Sequence, residues 1–133
     1  MGMKRWCFLT VVLLLAGCGQ EPVPLAQCPD PVQGCRITGG GIQADIRFAS
    51  PPGALRPFAL EVTAPGAKSV AASFAMVGMD MGENRYQLLR TDSSLWRADI
   101  ILPVCVAGRA DWVMTLEVDG KSVGVPFVTA GRS

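Results

Sequence analysis

From residue 42 onward, apolar and polar residues alternate with a period of two, the spacing of strands that bury one face. Ile42, Ala44, Ile46 and Phe48 fall on one side of such a strand, and Gln43, Asp45 and Arg47 on the other. The pattern returns at Phe58, Leu60 and Val62, and at Val70, Ala72, Phe74 and Met76. It continues through Tyr86 and Leu88, then Trp96, Ala98, Ile100 and Leu102. Trp112, Met114, Leu116 and Val118 form the next set, and Val123, Val125 and Phe127 the last. No stretch here carries helical periodicity. The connections suit strands: Ser50-Pro51-Pro52-Gly53 and Ala64-Pro65-Gly66 are breakers, and Asp92-Ser93-Ser94 is a polar turn. Asp119-Gly120 is the strongest hairpin signal, because that pair accepts the positive φ angles of a type I′ turn. About seven short antiparallel strands over residues 42–133 predict an all-β chain, an immunoglobulin-like β-sandwich lacking the Cys…Trp…Cys spacing of antibody domains.

The first 41 residues follow other rules. Lys4 and Arg5 precede an apolar run over residues 8–16 broken only by Thr10. That run is far shorter than the roughly 20 residues of a spanning helix, so it reads as a signal-peptide core. It ends in Leu15-Ala16-Gly17-Cys18, which looks like the lipobox of a bacterial lipoprotein. The expected product is cut before Cys18, carries lipid on that thiol and faces an oxidising compartment; Gly19 in the next position leans towards the outer membrane. Residues 18–41 contain Pro22, Pro24, Pro29 and Pro31 and end in Gly39-Gly40-Gly41, which predicts a tether outside the core.

Composition narrows the chemistry. Without residues 1–17 the chain keeps 116 residues, enough for one domain with a real core. Its 10 basic and 11 acidic residues then give no reason to expect a nucleic-acid partner. There is no histidine, which removes most hydrolase triads, most zinc sites and the usual acid–base group near neutral pH. Thr91, Ser93 and Ser94 have no base beside them in sequence, and no enzymatic reaction is expected. With Cys7 in the signal and Cys18 lipidated, Cys28, Cys35 and Cys105 remain, an odd number for an exported protein. The expected bridge joins Cys28 to Cys35 across a short Pro- and Gly-containing loop and leaves Cys105 free; the alternative is that Cys105 ties the amino-terminal segment to the domain body.

Two connections stand out. Val77-Gly78-Met79-Asp80-Met81-Gly82-Glu83-Asn84 joins the third and fourth expected strands. Pro103-Val104-Cys105-Val106-Ala107-Gly108-Arg109-Ala110 joins the fifth and sixth. In a seven-strand sandwich both emerge at the same end, which brings Met79 and Met81 towards Cys105. Thioether and thiolate are soft ligands that select Cu(I), so these three residues are the candidate metal ligands, with Met76 as a further ligand or a core residue. The competing expectation is structural: methionines plug the ends of sandwiches and free cysteines are commonly buried. Asp80 and Glu83, in a Gly-rich loop, read as solvated turn residues.

The stretch FAMVGMDMGENRYQL over residues 74–88, with Leu102-Pro103-Val104-Cys105 and Gly108-Arg109-Ala110-Asp111-Trp112, resembles small periplasmic immunoglobulin-like proteins similar to the YtkA and FixH-like families. The resemblance spans residues 42–128, and its most specific piece is the Met-Asp-Met-Gly loop. It implies a copper-related accessory role alongside Sco-type chaperones and cytochrome oxidase assembly, with Met79 and Met81 as matching positions. Copper carriers of that kind usually combine Met with His. The absence of histidine leaves Cu(I), or no metal, as the expectation. The alternative function is a non-metal interaction module whose Met-rich loop contacts an assembly partner.

Overall fold

The computed structural model describes Gly2 and residues 23–53, 55–78, 84–103 and 110–129. Within them the alternation becomes nine strands: β1 (Cys35–Gly39), β2 (Ile42–Phe48), β3 (Phe58–Thr63), β4 (Val70–Met76), β5 (Arg85–Gln87), β6 (Leu89–Arg90), β7 (Leu95–Ile100), β8 (Ala110–Val118) and β9 (Lys121–Thr129). They form two antiparallel sheets, ordered β1-β2-β3-β7-β6 and β5-β4-β8-β9. This is the sandwich that the two-residue period predicts. Without β1 and β5, the orders correspond to the ABED and CFG sheets of the immunoglobulin arrangement. No helix among the described residues is long and apolar enough to cross a membrane.

The residues that alternate inward make the core. Phe48, Leu60, Val62, Phe74, Ile100, Trp112, Met114 and Leu116 are each buried almost completely. Four phenylalanines from both sheets interlock: Phe48 lies 5.0 Å from Phe58 and 5.2 Å from Phe127, and Phe74 lies 6.3 Å from Phe58 and 6.1 Å from Phe127. The rings meet tilted or edge to face, the geometry their quadrupoles favour. Tyr86 joins the sheets differently. Its hydroxyl donates to the Ile101 carbonyl at 2.8 Å and accepts from the Ile101 N–H at 3.2 Å. The outer faces are charged. Glu61 on β3 sits between Arg47 on β2 and Arg97 on β7, at 2.9 and 3.4 Å, in one cross-strand row. Exposed pairs of this kind contribute little to stability but keep the sheet faces polar.

Two departures from the sequence expectation matter. Residues 23–41 of the segment read as a tether are instead one wall of the sandwich. The Gly124 N–H donates to the Pro24 carbonyl and the Ala26 N–H to the Gly124 carbonyl, both at 2.8 Å, so this segment runs parallel to the free edge of β9. It then passes through buried Ala26 and Cys28 to a disulfide with Cys35, whose Cα lies 5.7 Å from that of Cys28. Beyond Cys35 the chain enters β1, with Ile37 fully buried. Proline lacks the N–H of a strand but keeps its carbonyl, and that carbonyl is what Gly124 uses. The second departure is in the fourth expected strand, which divides. Arg85–Gln87 pair with β4 in one sheet, while Leu89–Arg90 pair with β7 in the other, with buried Leu88 at the crossing.

The turns explain the registers. Gly40 and Gly41 (φ 60° and 82°) join β1 to β2, and Asp119 and Gly120 (φ 50° and 82°) join β8 to β9. Both are two-residue hairpins with positive φ at each position, as the type I′ turn requires. The Asp119 carboxylate also accepts the N–H groups of Lys68 and Ser69, each at 2.8 Å. Those two donors, with a smaller contribution from the charges of Lys68 and Lys121, hold its pKa below the ordinary value. A carboxyl whose pKa falls on folding stabilises the protein above its ordinary range, and that contribution is lost as pH drops through the lowered value. Asp119→Asn keeps the left-handed turn but removes the charge. It is expected to melt lower than the parent at neutral pH and to lose less stability on acidification, measured as thermal midpoints from pH 7 to about pH 3.

Candidate functional site

The sandwich has two unlike ends. One carries the turns at Gly40-Gly41, Pro65-Gly66, Asp92-Ser93-Ser94 and Asp119-Gly120. The other carries the ends of β2, β4 and β9 and the start of β8. It is here that the chain departs towards Met79 and Met81 and returns from Cys105. The register pairs Met76 with Trp112, and the Val77 N–H donates to the Asp111 carbonyl at 3.0 Å. The start of the first singled-out connection and the end of the second therefore lie at adjacent points of the sheet. Met79, Met81 and Cys105, with Asp80, Glu83 and Arg109, lie outside the described residues, as does Cys18. Met76 packs against the core, as a structural methionine does.

The residues beneath this end are held firmly. Trp112 is fully buried, stacks on Phe127 with centroids 6.4 Å apart, and donates its indole N–H to Thr129 Oγ1 at 3.2 Å. The Thr129 hydroxyl in turn donates to the Ala110 carbonyl at 3.5 Å. This chain of contacts fixes the start of β8 against the end of β9, where the connection containing Cys105 rejoins the sheet. A cleft of about 640 Å³ opens beside it, lined by the disulfide loop (Pro29, Pro31), Pro51, Val77, Pro126 and Val128 among others. Its walls come from five separate stretches of chain, and the apolar residues outnumber the polar ones. Sequence patterning had no signal for it: Pro51 and Pro126 read there as a breaker and as part of a strand. Among the described residues, no group of three or more His, Cys, Asp or Glu is placed to hold a metal. The expected pairing of Cys28 with Cys35 is the disulfide that forms.

Comparison with known proteins adds little. No protein-family model and no curated protein matches the chain. The crystal structure of an engineered protein is similar to 68% of this chain at 18% identity and a TM-score of 0.43, and the match spans 20% of that protein's length.

Proposed function

We propose that this protein is a lipid-anchored component of the bacterial cell envelope that holds Cu(I) with Met79, Met81 and Cys105 and passes it on by ligand exchange. The observation that carries the copper reading is the hydrogen bond from Val77 to Asp111. Met79 follows Val77 by two residues and Cys105 precedes Asp111 by six, so both donor-bearing segments start from one corner of the sandwich. The donor chemistry fits: two thioethers and one thiol, in a chain without histidine, suit Cu(I) better than a harder divalent ion. The lipobox at Leu15-Ala16-Gly17-Cys18 supports the anchor, and the natural recipients are copper chaperones or oxidase-assembly proteins of the same compartment. A second reading, a non-metal interaction module, is favoured by the apolar cleft at the same end.

One titration separates the two. The mature protein in detergent, kept with ascorbate so that the Cys28–Cys35 disulfide survives, is titrated with Cu(I) against bicinchoninate. The parent is expected to withdraw copper from the chelator, and Met79→Ala/Met81→Ala to weaken binding at least tenfold, about 1.4 kcal/mol. If parent and variant compete equally poorly, the copper reading fails and the interaction module stands.

A further inference from the structure

The amino-terminal segment also determines which way the domain faces. Pro24 and Ala26 each make one backbone hydrogen bond to Gly124, and residues 24–26 run parallel to β9. Because β9 begins at the Asp119-Gly120 turn, residues 24–26 start on the side of the end that carries the hairpin turns and run away from it. Pro24 also lies against the Gly40 turn at that end. Only residues 19–23 separate Pro24 from Cys18. Six Cα–Cα steps reach at most about 20 Å. The opposite end of the sandwich begins four residues further along β9, at Val128, about 13 Å beyond Gly124 at strand spacing. To bring that end to a bilayer, the five residues would have to reverse direction and spend about two thirds of that reach running back along the domain.

We infer that the hairpin-turn end is a membrane-contact surface and that the cleft end, from which the chain leaves towards Met79 and Met81, faces away from the bilayer into the compartment. The inference rests on the lipid anchor at Cys18. The surface suits a lipid headgroup layer. Val23 and Leu25, 42% and 62% exposed, flank the point where the chain leaves for the anchor. Lys68 and Lys121 stand at the turns, while the Asp119 carboxylate is folded onto backbone N–H groups. A partner that uses the cleft end therefore approaches from the compartment and not from within the membrane.

The test places one fluorophore at either end of the lipidated protein, using Ser93→Cys at the turn end and Ser50→Cys at the cleft end, each in a Cys105→Ala background. The proteins are reconstituted in phosphatidylethanolamine–phosphatidylglycerol vesicles that carry a headgroup-attached quencher. Ser93→Cys is expected to be quenched severalfold more than Ser50→Cys. A Gly/Ser insertion of about ten residues between Gln20 and Glu21 should erase the difference, because a flexible linker releases the constraint. Palmitate incorporation is measured in parallel. Incorporation with equal or reversed quenching overturns the orientation and leaves the anchor intact. No incorporation overturns both.

Discussion

Gly40→Val is expected to destabilise the protein by about 2–5 kcal/mol, the largest single effect foreseen outside the aromatic core. Gly40 has φ of 60°, a left-handed conformation that costs an L-residue roughly 1–2 kcal/mol and a β-branched one more. A Cβ at this position would also collide with the carbonyl oxygen of Ser122 on β9, which is backbone and cannot rotate away. Moving the β1–β2 turn off β9 to relieve that collision adds a further ~1–3 kcal/mol, the usual cost of overpacking. Gly66→Val supplies the control. Gly66 has φ of 77°, but a Cβ there meets nothing within 4 Å, so only the conformational part of the cost applies. Denaturant unfolding of the two variants should show Gly40→Val well below Gly66→Val. Equal midpoints would mean that the glycine turn is not packed on β9.

The Cys28–Cys35 disulfide should be the second large contributor. It closes a loop with a sequence separation of 7, for which chain entropy gives about 2–2.5 kcal/mol. Its position makes the contribution more than entropic. Cys28 is 5% exposed and belongs to the hydrophobic core, and the loop it closes lines the cleft. Cys28→Ala/Cys35→Ala is expected to lower stability by at least that amount. It should also speed backbone hydrogen exchange at Ala26 and Gly124, whose N–H groups bond across this wall. Unchanged exchange at both amides, with an unchanged midpoint, would show that the segment is held without the disulfide.

These two predictions concern the part of the fold that sequence patterning misread, and the reason is physical. Six strands follow from alternation because each puts three or four apolar residues on a shared face, as Ile42, Ala44, Ile46 and Phe48 do. The Asp119-Gly120 turn follows from the conformations its two residues accept. β1 offers only Ile37 as an aliphatic inward residue, inside Cys-Arg-Ile-Thr-Gly, so its period is invisible. Pro24, Pro29 and Pro31 read as leash residues because proline cannot donate to a sheet. They cannot reveal that a proline carbonyl still accepts from one. The split at Leu88 was hidden for a related reason: alternation gives the face of a strand, not the sheet it belongs to. The candidate site was reached through residue chemistry, at Met79, Met81 and Cys105, and through strand counting. The adjacency of Val77 and Asp111 agrees with that counting although β1 and the division of the fourth strand were not foreseen, because neither changes the end at which β4 stops and β8 starts.

The copper proposal is tested most directly by the ligands around the bound metal. Protein loaded with Cu(I) and separated from free metal is examined by X-ray absorption at the copper edge. One copper per chain with a first shell of sulfur alone is expected, with sulfurs lost in Met79→Ala/Met81→Ala and in Cys105→Ser. A shell of nitrogen or oxygen, or sulfur scattering unchanged in these variants, would contradict the assignment.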